Sequence, residues 1–100
     1  MEQNNSELAA QGLDALRGQI DSIDNQLIDL LSQRLKVCNA VGEYKKQHRV
    51  AVVQSNRYHE LVERLCQRGL DGGLNENFVR KIMDVIHEES VKQQNALIGK

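Results

Sequence analysis

"LDALRGQIDSIDNQLIDLLSQRLKVCNAVGEYKK", Leu13 to Lys46, is the stretch that decides the fold of this chain. Apolar residues recur in it at Leu13, Leu16, Ile20, Ile23, Leu27, Leu30, Val37, Val41 and Tyr44, and steps of three and four predict one continuous amphipathic helix. Such a helix spans roughly 50 Å at 1.5 Å per residue, whereas a compact globule of this chain length has a radius of gyration of about 13 Å. It must protrude unless another chain covers it. A second copy, packed antiparallel in a two-fold homodimer, would bury both stripes.

Outward from that helix, Leu61, Val62 and Leu65 follow Ser55, a residue type suited to an N-cap, and the pattern is expected to stop at Gly69 in "RGLDGGL". Asn75 then caps a third helix with the stripe Val79, Met83, Ile86, Ser90, Gln94 and Leu97. "QHRVAVVQS" between the first two helices reads as an extended connector; Val50 to Val53 has strand character but no second strand to pair with. The fold class is therefore all-α, with three helices per chain and a very long first one. The polar opening, residues 1–11, reads as a disordered or linker-like leader, and residues 12–100 as the folded domain.

Composition narrows the function classes. The 100 residues suffice for one small domain, marginal as a monomer. With 40% hydrophobic residues, 3% aromatic and no proline, the core must be aliphatic and helices can run long. The net charge of −1 supplies no field for nucleic acid or an anionic membrane. Cys38 and Cys66 form no C-x-x-C pair and no secretory or membrane segment is evident, so a reduced, cytoplasmic setting is expected. His48, His59 and His87 show no ligand spacing; neither a metal nor a cofactor is expected.

Polar residues on the apolar stripes point to chemistry. Arg34 stands where the heptad from Leu27 and Leu30 calls for an apolar residue, with Cys38, Val41 and Lys45 following on its side. Arg34 or Lys45 alone would snorkel to solvent. Together, and with Ser90 and Gln94 on the core face of another helix, they are better satisfied by a shared anionic ligand, since an unpaired buried polar group costs about 1 to 3 kcal/mol. Arg17 flanks the same stripe near the helix start, about 42 Å from Lys45 along one helix, so it can join such a site only across an antiparallel dimer. Gly18 and Gly42 inside the helix suggest close packing, at Gly42 by a ligand or a neighbouring helix. Cys38 reads as a small buried thiol.

Taken together, "LDALRGQIDSIDNQLIDLLSQR", "VGEYKKQH" and "ESVKQQ" resemble the all-helical chorismate mutases of the AroQ class, over Leu13 to about Leu97. The resemblance implies a helix-swapped dimer of three-helix protomers that rearranges chorismate to prephenate. It further implies that Arg17 from the partner chain and Arg34 bind substrate carboxylates and that Arg57 adds a cation. Lys45 and Gln94 would flank the ether oxygen, Ser90 would bond the substrate near its ring or carboxylate, and Val41 would line the apolar wall. Lys45, Gln94 and Arg34 would carry the catalysis. Gln54 and Tyr58 depart from the family's well-known bacterial form, which has an acidic residue at the first position and, at the second, a glutamate that receives the ring hydroxyl. "VVQSNRY" also resembles mutase domains fused to DAHP synthase, the first enzyme of aromatic biosynthesis, which makes that enzyme a candidate fused or associated partner.

The rearrangement is pericyclic and needs no nucleophile or proton relay. Directional arginine–carboxylate contacts would hold the reactive conformer, while an ammonium and an amide N–H would stabilise the charge that develops on the ether oxygen. Two enzymatic alternatives share the cation set: an isochorismate-pyruvate lyase and an aminodeoxychorismate mutase. A non-catalytic helical dimerisation or regulatory module explains the long helix but leaves Arg34, Lys45, Ser90 and Gln94 without a reason.

Overall fold

With no proline to break it, the three-and-four spacing runs as one helix, α1, over Asn5–His48, followed by α2 over Ser55–Asp71 and α3 over Glu76–Ile98, in a computed structural model that describes residues 5–51 and 55–99. At 44 residues, α1 is roughly 66 Å long. Its start lies earlier than the sequence suggested: residues 5–11, read there as a disordered or linker-like leader, are helical, and residues 1–4 lie outside the described residues. Glu7, Leu8, Ala9 and Ala10 are strong helix formers despite the polar surroundings, and Glu7 in the first turn complements the helix dipole. At the other end Lys45, Lys46 and His48 do the same with opposite sign. Arg49 then takes a left-handed conformation, φ 55°, and the Val50 N–H closes on the Lys45 carbonyl at 2.9 Å.

No strand is present among the described residues; Val52 and Val53 of the expected connector lie outside them. Ser55, expected as an N-cap, is the first helical residue of α2. Gly69 is not the stop it was expected to be, because α2 continues to Asp71. A Cβ at Gly69 would stand 2.8 Å from Val79 Cγ2, so this glycine lets α3 approach. The turn is made by Gly73, φ 83°, with Leu74 N–H donating to the Gly69 carbonyl at 2.7 Å and Gly73 N–H to the Leu70 carbonyl at 3.0 Å. That pair of bonds is a Schellman motif around a left-handed glycine. Asn75 caps α3 as expected, its Oδ1 accepting from Asn77 N at 2.8 Å and Phe78 N at 3.3 Å.

The chain divides into two units, the first ending at Arg34 and the second starting at Leu35. In the first, the apolar stripe of α1 is exposed, Leu16 at 57%, Ile20 at 55% and Ile23 at 61%. In the second, α2 and α3 run antiparallel: Tyr58 meets Asp84, Glu63 meets Arg80, and Cys66 meets the Glu76 carbonyl. Their core is Val62, Cys66, Val79 and Met83, with Tyr58, Leu61, Leu65 and Ile86 packed around it. No described helix is long and apolar enough to cross a membrane.

Candidate functional site

Helix α3 delivers polar groups to a buried position by register alone. Val79 and Met83 bury the first half of its stripe, and the same face then presents Ser90 and Gln94, buried at 5% and 6% exposure, as the stripe predicts. Ser90 Oγ donates to the Ile86 carbonyl one turn back at 3.0 Å. Gln94 Nε2 donates to the Cys38 carbonyl of α1 at 3.1 Å. The amide's Oε1 is buried with no hydrogen-bond partner among the described residues, a condition that costs about 1 to 3 kcal/mol.

The α1 segment opposite is held alongside α3 by two further bonds. Asn39 Nδ2 donates to Gln93 Oε1 at 3.1 Å and Lys46 Nζ to the Leu97 carbonyl at 3.2 Å. From the Asn39–Gln93 bond to the Lys46–Leu97 bond the residue numbers rise on both helices, so the two segments run in the same general direction there. Gly42 is buried at the contact. Lys45, half-buried, lies three residues further on, near the same face of α1; Val41 is exposed at 40%. Cys38, expected to be buried, is half-buried; it is the backbone of this residue that enters the site.

Tyr58 is placed against α3 one turn before Ser90. Its hydroxyl donates to an Asp84 carboxylate oxygen, and its ring stacks on His87 with centroids 3.9 Å apart and planes 19° from parallel. With the phenolic proton directed at Asp84, the Tyr58 oxygen can act toward a further group only as an acceptor. Sequence reading missed Asp84 and His87 as partners; the signal available was their register on α3, six and three residues before Ser90. Arg57 is exposed at the start of α2, and Gln54 lies outside the described residues. Arg17 and Arg34 belong to the first unit, Arg17 exposed and Arg34 half-buried.

An ion-paired cluster of the second unit lies elsewhere. Arg80 contacts Glu63 at 2.6 Å and Glu76 at 3.0 Å on the surface of α2 and α3. The hydrogen bond from Arg80, and then its charge, hold the Glu63 carboxyl below its ordinary value; the two carboxylates in turn raise the guanidinium's.

The sequence family described as Chorismate mutase type II matches residues 16–95. A 4-amino-4-deoxychorismate mutase of Streptomyces pristinaespiralis is 32% identical over 91% of this chain and 70% of its own length. A second protein of that name, from Streptomyces venezuelae, is 27% identical over 88% of this chain and 85% of its own. The bifunctional chorismate mutase/prephenate dehydratase of Escherichia coli K12 is 32% identical over 84% of this chain, which spans 22% of that longer protein. The chain belongs to the type II chorismate mutase family and is an isomerase of that kind.

Proposed function

We propose that this protein rearranges chorismate to prephenate at a site built around Gln94, as an intertwined, antiparallel homodimer. The reaction breaks one carbon–oxygen bond and forms one carbon–carbon bond within a single molecule, so the protein supplies conformation and charge stabilisation only. The observation that carries the reading is the Gln94 amide, 6% exposed and fixed by the Cys38 carbonyl. One amide N–H is used in that bond, and the second is available to the ether oxygen, with the Lys45 ammonium as its companion. Arg34 and a partner's Arg17 are assigned the carboxylates, with Arg57 as a further cation. Ser90 and Val41 are assigned the ring and the apolar wall.

Dimerisation is supported by what one chain leaves uncovered. The stripe Leu13, Leu16, Ile20, Ile23 and Leu27 on α1, and the separate face Phe78, Ile82 and Val85 on α3, are all exposed; stripes of this size mark surfaces that another chain covers. An antiparallel pair also answers the separation of about 42 Å between Arg17 and Lys45. A fused or associated DAHP synthase remains the proposed partner.

A second reading, 4-amino-4-deoxychorismate as substrate, is favoured by Tyr58. A phenolic oxygen that accepts, backed by the Asp84 carboxylate, suits a donor substituent on the ring, and an ammonium more than a hydroxyl. The two Streptomyces relatives carry that name. Purified protein given chorismate, 4-amino-4-deoxychorismate and isochorismate in parallel, with loss of the ring diene's absorbance and release of pyruvate followed, decides among them. Turnover of chorismate is the expected result; pyruvate from isochorismate with chorismate untouched would defeat the mutase reading. Lys45→Ala and Gln94→Ala together, folded by circular dichroism, should abolish turnover, and full turnover would leave only a scaffold.

A further inference from the structure

Gly42 lies inside α1, six residues before its end at His48, where glycine is less favourable than alanine, yet it is buried and faces Gln94. A Cβ built on it would stand 2.9 Å from Gln94 Cγ, 3.4 Å from its Cβ and 3.5 Å from its Cα. The Cγ atom cannot swing aside freely, because the amide beyond it is bonded to the Cys38 carbonyl. We infer that Gly42 is the positioning residue for the Gln94 amide: its missing side chain lets α3 approach until Nε2 reaches the Cys38 carbonyl, which fixes the amide's orientation. This rests on the reading of Gln94 as the donor to the substrate's ether oxygen.

The test compares the full chain with Gly42→Ala, Gln94→Ala and the double variant, in kcat, KM and Tm on whichever substrate turns over. Gln94→Ala should lower kcat by about 10²- to 10³-fold. Gly42→Ala should lower kcat by roughly 10²-fold through misplacement of the amide, with KM nearly unchanged, and should shift the Gln94 side-chain amide resonance in an NMR spectrum. Once Gln94 is alanine the 2.9 Å clash partner is gone. The double variant should then be no slower than Gln94→Ala, and should melt at a higher temperature because alanine favours the helix.

Losses that add in the double variant, or a Gly42→Ala protein with full kcat and an unmoved resonance, would overturn the inference. A fully active Gln94→Ala protein would instead remove the reading of Gln94 beneath it. If Gly42→Ala fails to fold while the double variant folds, the clash is located at Gln94 and the inference stands; if neither folds, it is overturned.

Discussion

The Gln94 side chain donates to the Cys38 carbonyl across 3.1 Å, so a non-titrating amide on one helix is aimed by the backbone of another. Such a donor keeps its hydrogen at every pH the fold tolerates. Activity should therefore be level between about pH 6 and 8. Gln94→Glu reverses this: the neutral carboxyl can donate and the carboxylate cannot, and burial at 6% exposure penalises the charged form. The variant's kcat should rise as pH falls; a pH–rate profile for it as level as the parent's would count against Gln94 as donor.

Tyr58 and Asp84 share one hydrogen bond, and removing it tests how the ring substituent is read. Tyr58→Phe keeps the ring that stacks on His87 and loses the oxygen. With a net worth of about 0.5 to 1.5 kcal/mol per hydrogen bond, kcat/KM should fall up to roughly tenfold, and more for a ring bearing an amino group than for one bearing a hydroxyl. Equal losses on the two substrates would place Tyr58 outside the recognition of that substituent.

Arg49 occupies a left-handed conformation, φ 55°, at the end of α1. That conformation costs a residue with a side chain about 1 to 2 kcal/mol, while glycine returns about 0.5 to 1 kcal/mol of that through its freer unfolded state. Arg49→Gly should stabilise the protein by about 0.5 kcal/mol in urea titration. A lower midpoint would show that the arginine side chain contributes more than the backbone conformation costs.

The Glu63 carboxyl is held below its ordinary value by Arg80, so the folded state prefers it ionised. The resulting stabilisation is present above the ordinary carboxylate range and is lost as pH falls through the lowered value. Both side chains are substantially exposed, 36% for Arg80 and 50% for Glu63, and screening by water keeps the effect small. Glu63→Gln should melt slightly below the parent at pH 7, and the gap should close as pH is lowered through the Glu63 titration. A gap that widened in acid would contradict the assignment.

What the sequence made legible was periodicity and punctuation. The stripes of α1 and α3, the Asn75 cap and the inward turn of Ser90 and Gln94 all follow from spacing and residue type, and each is present. Errors arose where one residue type serves two ends. Gly69 in a helical pattern reads as a stop, but only the neighbouring helix reveals it as room for Val79. The leader was judged by polarity although Leu8, Ala9 and Ala10 favour helix. The bond of Tyr58 to Asp84 and the placing of Gln94 against Gly42 join residues far apart in the chain, which no local pattern reports.

The uncovered stripe on the first half of α1 also bears on how the protein comes to be folded. Helical stability in water comes mostly from tertiary packing, and Leu16, Ile20, Ile23 and Leu27 find little of it within their own chain. In the proposed homodimer, acquiring structure and finding a mate become one kinetic event. After dilution from denaturant, recovery of helical signal from this region should be second order, with a half-time that shortens in proportion as concentration is raised.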